Sequence, residues 1–217
     1  MPRKPKRVIV GFMKRPIAEF LTMAVKAGAE AERLHAAHEA WQILRRKQGY
    51  VTHRIYVRAN APLQQLEYSE WESKKAVDGA RQHLQGTPLM RRARETLAAA
   101  PQRLVVELAG PVTSTKGIDL PEQAVAVTAV GRLPAESAAW RAQEDALWKA
   151  LSGQPGHLTH LLFRGFEAPL LVGSLSHWEN GTAFDRALAA VHDAMGAGVT
   201  DALAAPFEYV MYRPARD

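Results

Sequence analysis

Residues able to hold and polarise a small molecule gather around two tryptophans. On the run Gln65 to Trp71, strand alternation puts Trp71, Ser69 and Glu67 on one face. On the run Tyr50 to Arg58 the same alternation groups Thr52, Arg54, Tyr56 and Arg58. If both faces look into one cavity, it holds an indole, a phenol, two guanidiniums, hydroxyls and a carboxylate. Such a set could bind a flat organic molecule, donate a proton and steady an enolate or phenolate. The second tryptophan, Trp178, shares its face with Ser176, Ser174, Thr159, Leu161 and Phe163, a mostly apolar company. The candidate catalytic set is therefore Tyr56, Trp71 and Arg54, with Arg58, Glu67, Ser69, Thr52 and Trp178 as substrate-binding candidates. Each also has a plainer role. Arg54, Arg58 and Glu67 would serve as ion pairs at a sheet edge. Either tryptophan would serve as a core side chain whose burial contributes about 2–3 kcal/mol.

The other chemistry-bearing groups also admit two roles each. His53 and His160 have the opposite parity to Thr52 and would face covering helices. There they read as hydrogen-bonded core histidines, with axial ligation of a haem as the alternative. Glu32, His35, His38 and Glu39 have helical spacings that suit a metal but lie away from the buried stripe, as a solvated face would. No glycine-rich phosphate loop, nucleophile elbow or zinc signature is present. The expected site needs no metal and no cofactor.

The elements that position these residues occur twice. Trp71 and Trp178 stand 107 positions apart, as do Trp41 and Trp148, Gly49 and Gly156, His53 and His160, and Pro62 and Pro169. Across positions 41 to 80 there are 14 identities at that offset, where ordinary composition gives about 2 or 3. First strands are expected at Val8 to Phe12 and Val125 to Val130, followed by helices Glu30 to Lys47 and Ala135 to Leu151. Leu34, Ala37, Trp41 and Leu44 form a buried stripe, and Gly49 and Gly156 end the helical segments. A hairpin follows (Tyr50 to Arg58 with Gln65 to Trp71; His157 to Arg164 with Leu171 to Trp178), then helix, then a last strand at Arg103 to Leu108 or Phe207 to Tyr212. The first strands differ by 117, so copy one is expected to carry ten extra residues near Pro16 to Ala29, read as additional helix from Ile17, Phe20, Leu21, Ala24 and Val25.

The order β-α-β-β-α-β is the ferredoxin-like module. Its sheet has one uncovered apolar face, which a tandem copy can cover. The fold class is α+β: two ferredoxin-like repeats packed as an intramolecular pseudo-dimer, a dimeric α/β-barrel. The repeats are expected at residues 1–111 and 122–217, joined by a Thr/Ser/Gly-rich linker at 112–121. The sequence leaves open whether the pseudo-dimer pairs again as a homodimer.

Composition narrows the partners. The net charge is +6, and Arg3, Lys4, Lys6, Arg7, Lys14 and Arg15 account for all of it. The body is neutral, which argues against a nucleic-acid surface. No apolar run approaches the roughly 18 residues of a membrane helix, and the basic start lacks a signal-peptide pattern. With no cysteines, thiol chemistry and disulfides are excluded. A cytoplasmic protein with a small-molecule substrate or ligand is expected.

Gly49-Tyr50, Trp71-Glu72-Ser73 and Ala76, echoed by Gly156-His157, Trp178-Glu179-Asn180 and Ala183-Phe184, resemble the antibiotic biosynthesis monooxygenase family over nearly the whole chain. The resemblance implies the dimeric α/β-barrel. It also implies either a cofactor-independent oxygenase acting on an aromatic or polyketide-like compound, or a non-catalytic small-molecule or haem binder. In the quinone-forming members a cavity tryptophan falls on Trp71 and Trp178, a cavity tyrosine on Val77 and Phe184, and a strand-two histidine on Tyr56 and Phe163. The haem-degrading type's strand-one asparagine has no counterpart here, and its helix positions fall on Ala80 and Met90. On this resemblance Trp71 would pack on the substrate, Tyr56 would be the polar donor, and Arg54 and Arg58 would steady an enolate or phenolate.

Overall fold

The computed structural model describes residues 15–110, 114–133, 138–168, 170–195 and 207–215. The chain runs β1 (Ile17–Ala24), α1 (Glu30–Leu44), β2 (Tyr50–Arg58), β3 (Ala61–Trp71), α2 (Lys74–Leu84), α3 (Pro88–Glu95) and β4 (Gln102–Leu108). It continues with β5 (Val125–Arg132), α4 (Ala138–Ser152), β6 (His157–Gly165), β7 (Leu171–Trp178), α5 (Gly181–Met195) and β8 (Phe207–Pro214). The eight strands close into one antiparallel barrel in the order β1-β3-β2-β8-β5-β7-β6-β4. Strands from residues 17–108 lie side by side, as do those from 125–214, and the seams are β2 against β8 and β4 against β6.

Alternation along each strand builds two kinds of core. The barrel is filled by Phe20, Tyr56, Tyr68, Phe163, Leu161, Leu175 and Tyr212, drawn from both halves. Phe20 sits 5.1 Å from Tyr68 and 4.9 Å from Phe163, ring centre to ring centre, tilted contacts that favour a defined packing. Outside the barrel, α1 and α2 cover the first half over Ile17, Trp41, Leu44, Ile55, Trp71, Val77 and Leu84. In the second half α4 and α5 do the same over Val125, Val127, Trp148, Leu162, Trp178 and Phe184.

The helices start where their local chemistry allows. Ser73 and Thr87 accept from the backbone N–H of Ala76 and Met90, capping α2 and α3, and Pro88 opens α3 where a missing N–H costs nothing. Gly49 and Gly156 adopt φ of 82° and 86°. A Cβ at either would lie 2.7 Å from that of Ala76 or 2.6 Å from that of Ala183, so only glycine lets β2 and β6 pass this close under α2 and α5.

The segment expected to be an additional helix is β1. Its apolar spacing fits a helical period as well as a strand, and tertiary context decides: β1 hydrogen-bonds to β3 on one side and β4 on the other. Ala18 and Phe20 turn into the barrel, while Ile17 packs beneath the helices. The expected strand at Val8 to Phe12 lies outside the described residues. Among the described residues no helix is long and apolar enough to cross a membrane.

Candidate functional site

The helix-side face of the first half carries a buried charge network. Trp71 is fully buried and donates from Nε1 to Ser69 Oγ at 2.9 Å. Ser69 Oγ lies 3.5 Å from Glu19 Oε2, its cross-strand partner. Glu19, at 0% exposure, would be untenable unpaired. Arg81 of α2 donates to it from Nε and Nη2 at 2.8 and 2.6 Å, and Arg103 of β4 from Nε at 2.6 Å. Arg103 also reaches Asp78 Oδ1 at 2.8 Å, and Lys74 reaches Asp78 Oδ2 at 2.7 Å. Lys74 and Arg103 together hold the Asp78 carboxyl below the usual range. One turn further, buried Arg33 of α1 pairs with buried Glu67 and lies against Met23 Sδ. The Arg81 guanidinium rests 5.3 Å over the Trp41 ring, a cation–π contact.

A cavity of about 450 Å³ opens beside this network, between β1, β4 and the three helices. Leu21, Met23, Leu84, Met90, Ala93 and Leu97 give it an apolar body, and Glu19, Arg33, Asp78, Arg81, Arg94 and Arg103 give it charge. That volume and that mixture suit a small organic molecule. Ser69 and Glu67 do not line the cavity. They stand directly behind it, each in contact with a residue that does.

The expected common face of Trp71 with Thr52, Arg54, Tyr56 and Arg58 does not form. Tyr50 pairs with Trp71, but Thr52 pairs with Glu70 and Arg54 with Tyr68, because a bulge inserts one residue between Tyr50 and Thr52. One extra residue reverses the parity of everything after it. Arg54 and Tyr56 therefore join a second network, on the barrel side. Tyr56 Oη is 2.7 Å from His177 Nε2, Tyr68 donates to Glu70 at 2.8 Å, and Glu70 accepts from Thr115 N and Oγ1 at 2.6 and 2.7 Å. Arg54 ties the same connecting segment down through Ile118 O at 2.5 Å. Burial drives the Tyr56 and Tyr68 phenols upward and lowers His177 to about 3, so all three are neutral at physiological pH. Arg58 lies at the hairpin end and donates to Gln64.

The second half repeats the frame and not the network. Trp178 donates from Nε1 to Ser176 Oγ at 3.0 Å, with a matching bulge between His157 and Thr159. The space between sheet and helices is about 30 Å³, lined by Val127, Leu147, Trp148, Phe184 and Leu188 with Glu144 among them. Burial pushes the Glu144 carboxyl up to about 7, with Arg164 opposing.

His53 and His160 face the helices, as expected. His53 stacks on Trp41 at 4.4 Å and 11°, and His160 on Trp148 at 4.7 Å and 12°. Tyr50 Oη meets His53 Nδ1 at 2.7 Å, and burial lowers His53 to about 4. No histidine lines either cleft, so an axial haem ligand has no candidate there. His35, on α1, is exposed and Glu39 pairs with Arg92 at 2.7 Å. Among the described residues no cluster of three or more potential ligands could hold a metal.

The charged lining, Glu19, Arg33, Arg81, Arg94 and Arg103, is absent from the sequence-derived candidates. The signal was present: carrying the 107-residue offset back from Val125 lands on Ala18, inside β1. That would have put Glu19 on the face of Ile17 and Met23.

The closed barrel with helices on its outer face is an α+β fold shared with monooxygenase-like proteins of known structure. A candidate monooxygenase from Fusobacterium nucleatum superposes with a TM-score of 0.76 over 93% of each chain at 10% identity. Another from Lactobacillus acidophilus gives 0.67 at 11% identity, covering 92% of this chain and 94% of that one. An anthrone oxidase-like protein gives 0.64 at 14% identity, covering 93% and 92%. No family model matches the chain, and no curated protein does. The likeness is one of fold, and it agrees with the resemblance carried by the Trp-Glu motifs.

Proposed function

We propose that the chain is a pair of ferredoxin-like repeats, 1–111 and 122–217 joined by 112–121, acting as an intramolecular pseudo-dimer. Its first-half cleft binds an aromatic or polyketide-like molecule and oxidises it without a cofactor. The observation that supports this is the cleft itself: about 450 Å³, apolar in its body, with paired guanidiniums at one wall. Cofactor-independent oxygenation requires an electron-rich enolate or phenolate to react with dioxygen. Preorganised cations beside an apolar wall stabilise that anion. Arg81 and Arg103 are the groups for this role, and Trp71, Ser69 and Glu67 hold the wall behind them. Tyr56, Arg54 and Thr52 support the sheet from the barrel side.

A second reading, a non-catalytic binding protein on the same fold, draws on one observation. Glu19, the one fully buried carboxylate lining the cleft, already has both oxygens engaged by two arginines, which leaves neither oxygen free to act on a substrate. Oxygen uptake with a panel of anthrones and hydroquinones separates the two. Uptake above the protein-free rate, reduced at least tenfold by Arg81→Gln, is expected of an oxygenase. Silence across the panel with ligand binding retained would leave only the binding role.

A further inference from the structure

We propose that the molecule bound in the first-half cleft is an aromatic carboxylic acid, held through its carboxylate by Arg81, Arg94 and Arg103. The inference rests on the assignment of that cleft as the ligand site and adds the charge class of the ligand. Four arginines line the cavity (Arg33, Arg81, Arg94 and Arg103) against two acids, Glu19 and Asp78. Behind the wall, Glu67 adds one negative charge at Arg33 and Lys74 adds one positive charge at Asp78. The site keeps a surplus of two positive charges in a pocket with an apolar body, and a low-polarity enclosure strengthens the attraction of such a surplus for an anion.

The donors are available as well as the charge. Arg81 spends Nε and Nη2 on Glu19, and Arg103 spends Nε on Glu19 and Nη2 on Asp78. A guanidinium carries five N–H donors, so each keeps Nη1 for a ligand. Both grip the same carboxylate, Arg81 at Oε2 and Arg103 at Oε1, so Glu19 anchors the two side chains at one wall of the cavity. Arg94 lines the same cavity and forms no ion pair among the described residues. A carboxylate is favoured over a phenol because it is ionised throughout the neutral range and accepts two parallel bonds from such a fork. Leu21, Met23, Leu84 and Met90 receive the ring system. In the second half Val127 stands where Glu19 does, each opposite the serine bonded to its tryptophan, and the arginine wall is missing.

Isothermal titration of the full-length protein with 2-naphthoate, methyl 2-naphthoate and 2-naphthol tests the proposal. The acid is expected to bind at least tenfold tighter than the ester and the naphthol, and to weaken as salt is raised. Arg94→Gln, which breaks no ion pair among the described residues, is expected to weaken the acid about tenfold and to leave the ester and the melting temperature unchanged. Equal binding of acid and ester, no binding of the acid, or an acid affinity untouched by Arg94→Gln would each overturn it. Because this readout is binding, acid selectivity without oxygen uptake would keep the inference and remove the oxygenase. Uptake with neutral substrates and no acid binding would do the reverse.

Discussion

The two clefts share a frame and differ in what fills it. In both halves a buried tryptophan bonds to a serine two residues earlier, and a histidine stacks on a helix tryptophan. In both a glycine brings the strand under the next helix. The carboxylates do not correspond. The first half keeps one on the strand at Glu19, met by two arginines. The second has Val127 there and places a carboxyl on the helix instead, at Glu144, 107 positions from the core alanine Ala37. One cleft measures about 450 Å³ and the other about 30 Å³. A packing frame thus tolerates different electrostatic contents, because the aromatic contacts that recur in both halves do not include the carboxylates.

The largest effect should be symmetric. Trp71→Ala and Trp178→Ala each remove a fully buried indole and should cost about 3–5 kcal/mol in urea unfolding. A cost under about 1 kcal/mol at either position would show that the frame is not shared. Glu19→Gln should be asymmetric, since the second half has no counterpart. It leaves Arg81 without its charge partner and Arg103 with Asp78 alone, and should cost about 2 kcal/mol. That is less than the 3–5 kcal/mol of a wholly buried pair, because Arg81 and Arg103 reach solvent.

The smallest effect is a pH dependence that separates the halves. Glu144 is raised from 4.5 to about 7 in the folded state, so folding favours its protonated form. Its stabilising contribution is present below pH 4.5 and lost as pH rises through 7. In melting curves Glu144→Gln should gain on the parent protein between those values and run parallel above them. A constant difference across that window would refute the assignment. His53 and His157, lowered from 6.5 to about 4 by burial, act in the opposite sense. The unfolded chain binds their protons first, so their contribution is lost as pH falls from 6.5 toward 4. Glu144→Gln should leave that acid limb in place.

Much of this is legible in the residues alone. The 107-residue periodicity, the hairpins, α2 over Lys74 to Leu84, the glycine stops and the helix-facing histidines are all local or repeated patterns. The charged residues expected beside Trp71, namely Arg54, Arg58 and Glu67, are not the ones that line the first cleft. Which face each residue occupies depends instead on how the strands pair. A single bulged residue after Tyr50 moves Tyr56 and Arg54 to the barrel side and leaves Trp71 under the helices. No residue type announces it, since a bulge is set by how two strands pair rather than by either strand alone. The identity of β1 was settled in the same way, by the open positions between β3 and β4. With β1 came Glu19, whose burial is possible only because Arg81 and Arg103, 62 and 84 positions away in the chain, converge on it.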